Sequence, residues 1–198
     1  LLIGIGTGTV SQAANDNEVV PANKTQVSLL FGAYTLSPPN DATISSLGAF
    51  TLGFTYRFHP KFSAYGAYSN LFRTNLSSLV SGVDVGVQYC FWTCSAMKQK
   101  ISDSALVVSW NPWGVQVGAG FSQRSFQVAT QSVGFSGPYF RGEANYMLGD
   151  RFKLIGAAQY NIMINSSRSL SHVTIQAGLG FDFGENVYEA ARRPQTTR

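Results

Sequence analysis

Two cysteines lie four residues apart, Cys90 and Cys94, and the chain has no others. Such a pair can form a disulfide or offer thiolates to a metal. A metal would want a second pair of Cys or His ligands, and the sequence supplies none. Extended backbone would hold the two Cα atoms about 13 Å apart, whereas a disulfide needs less than about 7 Å. Pairing therefore demands a turn at residues 91–93; the alternative is two free thiols. Nucleophilic chemistry would need a serine with a base, and Ser169, Ser171 and His172 sit together, with Glu143 as a carboxylate to orient the imidazole. Neighbouring strand residues point to opposite faces, so Ser171 and His172 make no natural dyad. His172 opens the last strand, 172–183, and reads as a solvated histidine at the loop edge; His59 lies in a turn. What is left is charge: Arg57, Asp84, Arg141, Glu143, Lys153 and Asp182. These mixed signs could gate a pore or compensate one another inside a closed fold. No catalytic residue, cofactor or metal is expected.

The elements that carry these residues are strands. Residues 173–183 alternate strictly: Val173, Ile175, Ala177, Leu179, Phe181 and Phe183 on one side, Thr174, Gln176, Gly178, Gly180 and Asp182 on the other. Period 2 with two different faces marks a β-strand. The same alternation recurs at 25–35, 46–58, 62–72, 81–91, 113–127, 138–148 and 152–163, which makes eight strands. In 62–72 both faces mix aromatic and small residues, so its faces stay unassigned. Residues 92–112 contain a stretch, 101–110, that reads equally as an extra strand, a short helix or a structured loop.

The connections alternate in length. Short turns fall at 59–61 and 149–150; longer loops fall at 37–42, 73–79, 130–137 and 165–171. Aromatic residues collect at the short-turn ends: Tyr56, Phe58, Phe62, Phe91, Trp92, Trp113, Tyr146, Phe152, Phe181 and Phe183. Such rings sit at a membrane–water boundary.

Composition points the same way. Charged residues are 12% of the 198, about half the share of a soluble domain. The net charge of +4 comes from scattered Lys and Arg, not the clustered cations a nucleic acid requires. No apolar run reaches the ~20 residues of a membrane helix, so membrane residence would require a closed barrel. Alternation cannot say which face is inside. A water-exposed face should be rich in Lys and Glu; here the non-apolar face is Gly, Ser, Thr and Gln with few charges. That suits the crowded lumen of a narrow barrel, with the apolar face outward. A soluble barrel would instead crowd Phe50, Phe54, Leu179 and Phe181 in its middle.

Residues 56–65 (YRFHPKFSAY), 149–152 (GDRF) and the closing 178–183 (GLGFDF) resemble the small eight-stranded outer-membrane barrels of Gram-negative bacteria, the OmpA/OmpX/OmpW-like group. The resemblance covers roughly residues 24–183. It implies an all-β fold, an eight-stranded antiparallel up-and-down transmembrane β-barrel, integral to the bacterial outer membrane. Residues 1–13 read as the remnant of a signal peptide, 14–23 as a linker, 24–183 as the barrel and 184–198 as a polar tail. The implied partners are outer-membrane lipids and lipopolysaccharide, and the barrel-assembly machinery during insertion. Envelope proteins could be contacted through 92–112 or the tail. The expected role is non-catalytic: architecture, or a narrow conduit or docking site for small molecules. The alternatives are an anchor of a larger envelope assembly and a lipid A-modifying enzyme.

Overall fold

Alternation becomes geometry in β10 (Phe152–Asn165), where burial alternates exposed–buried from Phe152 to Ile164 without a break. Lys153, Ile155, Ala157, Gln159, Asn161 and Met163 point inward, and Phe152, Leu154, Gly156, Ala158, Tyr160, Ile162 and Ile164 point outward. A computed structural model describes residues 19–37, 44–72, 78–94, 97–102, 105–109, 111–128, 131–149, 151–165 and 168–184. The other strands are β1 (Val19–Pro21), β2 (Asn23–Ser37), β3 (Ile44–His59), β4 (Phe62–Phe72), β5 (Ser78–Trp92), β6 (Met97–Ser102), β7 (Ala105–Ser109), β8 (Trp113–Val128), β9 (Gln131–Met147) and β11 (Arg168–Gly184). There is no helix among the described residues.

Eight of these strands close into a barrel in the order β10-β11-β2-β3-β4-β5-β8-β9. Every neighbouring pair is antiparallel, and β11 pairs with β2 to join the two ends of the chain. Closure leaves no unpaired edge in the barrel. The eight strands run 11 to 17 residues, at or beyond the ~9–11 that a tilted strand needs to cross a bilayer.

Both faces of β4 are now assigned. Ser63, Tyr65, Ala67, Ser69 and Leu71 are buried inside, while Phe62, Ala64 and Tyr68 are exposed. The residues that would crowd the centre of a soluble barrel lie outside: Phe54 is 50% and Leu179 51% exposed.

Three stretches differ from the sequence reading. The expected loops 130–137 and 165–171 are largely strand, because the β8–β9 ladder continues to Val128↔Gln131 and the β10–β11 ladder to Asn165↔Arg168. Their Ser and Gly residues suggest loop chemistry, but cross-strand pairing outweighs local preference. Pro138 sits inside β9; its ladder to β8 holds at Phe121, while the β10 ladder skips from Tyr139 to Ser136, as the missing N–H requires. Part of the expected linker 14–23 is structured: β1 pairs with β6, and β6 pairs with β7 in a hairpin. This three-stranded sheet is the fold of the 92–112 connection, and it stands at the short-turn end. The expected signal-peptide remnant (1–13), the loop residues 38–43 and 73–77, and the tail beyond 184 lie outside the described residues.

Candidate functional site

Inward-facing side chains of the eight strands meet in the lumen and fill it in layers. At the loop end, Tyr34, Leu36, Ala49, Leu71, Val80 and Phe126 pack together, with Phe135 and Leu170 against them. The Phe126 and Phe135 rings meet edge to face at 4.8 Å. Below them the lumen turns polar. Glycine makes room for the large inward groups: a Cβ at Gly120 would stand 2.8 Å from the Tyr139 ring and closer still to the Val85 carbonyl.

The middle layer centres on Asp84, which is fully buried. Arg124 Nη2 donates to both of its carboxylate oxygens at 2.6 Å. Ser122 Oγ donates to Oδ1, and Gln159 Nε2 to Oδ2 at 3.1 Å. Ser69 Oγ donates to Oδ2 at 3.4 Å and lies 3.1 Å from Thr51 Oγ1, whose single proton is shared between Ser69 Oγ and Gln176 Oε1 at 3.0 Å. Gln159 continues to Asn161 at 3.1 Å, and Asn161 Nδ2 meets His172 Nε2 at 2.8 Å. Next to this, Arg141 Nη2 donates to Glu143 Oε2 at 2.8 Å, and the guanidinium carbon lies 4.9 Å over the Tyr65 ring. Gln116 Nε2 takes the other Glu143 oxygen at 2.6 Å.

At the short-turn end, Lys153 Nζ lies 2.8 Å from Asp182 Oδ2 and donates to Gln26 at 3.2 Å. It also donates to the backbone carbonyl of Cys94, at 3.2 Å, and Arg57 Nη2 reaches the same oxygen at 3.3 Å. Cys90 and Cys94 are joined by a disulfide, with 5.7 Å between their Cα atoms. The bridge holds residues 93–94 across the barrel mouth, and Cys94 is 1% exposed there.

The six charged residues singled out in the sequence, Arg57, Asp84, Arg141, Glu143, Lys153 and Asp182, are all buried in the lumen. Arg141–Glu143 and Lys153–Asp182 pair with each other and Asp84 pairs with Arg124; Gln159 links Arg141 to Asp84, and Arg57 and Lys153 share the Cys94 carbonyl. Arg124 was overlooked although parity marks it, since it lies an even step from Gln116 and opposite Val117 and Phe121. His172 corrects the reading of a solvated histidine. It is 2% exposed, because strand β11 begins earlier than expected and carries it into the lumen. Ser169 is exposed and Ser171 half-buried; the described partner of the His172 ring is an amide.

The outside of the barrel is apolar. Phe31, Leu52, Phe54, Val83, Val85, Phe121, Phe140, Ile175 and Leu179 are all exposed. In water so continuous an apolar belt would be a severe aggregation hazard. At the short-turn end Tyr56, Phe58, Trp92, Trp113 and Phe183 are exposed. Trp113 meets Tyr146 at 4.9 Å, and Phe181 meets Phe152 at 5.0 Å and Phe183 at 4.7 Å. A shallow apolar depression of about 730 Å³ crosses β9–β11, where Ala144, Gly156 and Ala177 leave the wall low.

No protein-family model matches the sequence, and no curated protein matches it either. Solved structures do. The chain is similar to the Neisserial surface protein A (NspA), with a TM-score of 0.57 and 12% identity, over 84% of this chain and 99% of that one. It is also similar to the N-terminal β-barrel domain of Pseudomonas aeruginosa OprF, with a TM-score of 0.53 and 10% identity, over 81% and 99%. With its closed antiparallel barrel, polar lumen and apolar wall, the chain has the fold of the small eight-stranded outer-membrane β-barrels.

Proposed function

We propose that this chain is a non-catalytic integral protein of a bacterial outer membrane, and that its barrel is a sealed structural element, not a conduit. The apolar wall ringed by Trp113, Tyr146, Phe152 and Phe183 supports residence in lipid, with lipopolysaccharide and phospholipid as its surroundings. Insertion by the barrel-assembly machinery belongs to the same reading. The observation that carries the sealed state is the burial of the inward-facing side chains among the described residues. An apolar cluster closes the loop end, ion pairs fill the middle, and the carbonyl of Cys94 lies across the other mouth. A non-catalytic role is supported by His172, whose described partner is Asn161 instead of a serine or carboxylate.

The test is in two parts. Membrane fractionation should place the protein with the outer membrane, and the detergent-extracted barrel should migrate differently on gels before and after boiling. Purified barrel in planar bilayers should then show no steady single-channel conductance. A protein soluble without detergent would end the membrane reading, and reproducible channels would end the sealed one.

A second reading is favoured by one observation. The β1–β6–β7 sheet at the short-turn side ends on β7, which pairs with β6 alone among the described strands. An open edge of this kind accepts an added strand, which fits an anchor for an envelope assembly. Cross-linking from that side followed by mass spectrometry tests it.

A further inference from the structure

Among the described residues, charge in the lumen does not balance. Among the described buried residues, Arg57, Arg124, Arg141 and Lys153 are four cations, and Asp84, Glu143 and Asp182 are three carboxylates. Three pairs form, Arg124–Asp84, Arg141–Glu143 and Lys153–Asp182, and Arg57 is the cation left over. It is 4% exposed, and its hydrogen bond goes to a neutral acceptor, the Cys94 carbonyl. One carboxylate, Asp182, serves this end and is bonded to Lys153, so two buried cations share one full negative charge, and an excess buried charge is costly. Lys153 donates to that same oxygen, so two cations converge where the acceptor carries only a partial charge.

A second observation lies in the same row of the wall. Arg57 registers with Ser63 of β4, and Ser63 registers with Gln88 of β5. Gln88 is 1% exposed, yet neither atom of its amide has a hydrogen-bond partner. Buried amides are normally satisfied; Asn145 is a second buried amide of this kind among the described residues.

We propose that Arg57 and Lys153, in the wall that also carries the Gln88 amide, form a binding site for a small oxyanion, a phosphate or a carboxylate, whose place is held in this structure by the carbonyl of Cys94. A full negative charge would make stronger bonds to the guanidinium and ammonium than a carbonyl does. The Cys90–Cys94 disulfide keeps the carbonyl at high effective concentration. An anion therefore competes poorly while the bridge is intact and well once it is removed. The loop end stays closed by its apolar cluster, so the anion docks and does not cross.

The test uses the full chain refolded in detergent, with inorganic phosphate and, separately, acetate as calorimetric probes. The Cys90→Ser/Cys94→Ser form should bind at least one of them on the order of tenfold more tightly than the disulfide form. Adding Arg57→Gln should abolish that gain, and Arg57→Lys should restore part of it. Heat-modifiable migration checks that each variant is folded; should the serine form fail to fold, wild type reduced after folding takes its place. Equal binding in the bridged and unbridged forms, no binding in either, or a gain that survives Arg57→Gln would each overturn the proposal. Conductance measured on the same samples tests the sealed barrel separately, since a site can bind without conducting.

Discussion

At the loop end of the lumen, Tyr34, Leu36, Leu71, Val80 and Phe126 close on one another; at the short-turn end, Arg57 and Lys153 close on a carboxylate and on the carbonyl of a bridged cysteine. The first seal is non-directional. Any apolar side chain of similar volume keeps most of it, because its stability comes from area removed from water and from packing. The second seal is directional and conditional. Each charge is tolerated there only while its partner is in place, and removing one partner costs more than the pair is worth. The two ends of one small barrel thus show the same task, filling a narrow space, done by contacts that fail in different ways.

The sharpest way to separate directional from non-directional filling is to break the ion pair of the middle layer, which is directional in the same sense as the short-turn seal. Asp84→Ala should destabilise the refolded barrel by about 3–5 kcal/mol, since it leaves Arg124 buried without a counter-charge. The double replacement Asp84→Leu/Arg124→Leu should cost much less. Urea unfolding followed by gel mobility measures both, and equal losses would remove the distinction between the two kinds of seal. At the apolar end, Phe126→Ala should cost about 3–5 kcal/mol by opening a cavity, whereas Phe126→Leu should cost less than about 1.5 kcal/mol. A large penalty for leucine would mean that this end too depends on specific geometry.

The outer wall offers a control outside both seals. Leu52→Arg, on the apolar belt, should cost about 2–4 kcal/mol if the site lies near the bilayer midplane, and Leu148→Arg, beside the short turn, about 0–1 kcal/mol. Equal costs measured by refolding into vesicles would argue against the depth assigned to each. An intermediate effect should follow loss of the disulfide. It closes a loop of only a few residues, so Cys90→Ser/Cys94→Ser should cost about 2 kcal/mol in the chain-entropy model. Its main consequence should be access to the short-turn mouth, read as faster proteolysis within 92–112.

Much of this was legible in the residues. Strict alternation identified the barrel strands, and the scarcity of Lys and Glu on the small-residue face set that face inward. Parity also marks Arg124 and His172 as inward once the strand limits are known. The limits themselves were not legible at 130–137 and 165–171, where serine and glycine suggest loops but a neighbouring strand supplies the ladder. The β1–β6–β7 sheet was hidden for the same reason, since its pairing joins residues 19–21 to 97–99 across the chain.

By itself the amino-acid order determined period, facing and closure, because side-chain alternation is a local property of the backbone and an apolar belt must find an apolar surrounding. Which charges meet was decided by the tertiary structure alone. Asp84 pairs with Arg124 forty positions away, and Arg57 with a carbonyl thirty-seven away. Strand stagger around the barrel sets those distances, and it is a property of the closed sheet and of no single strand.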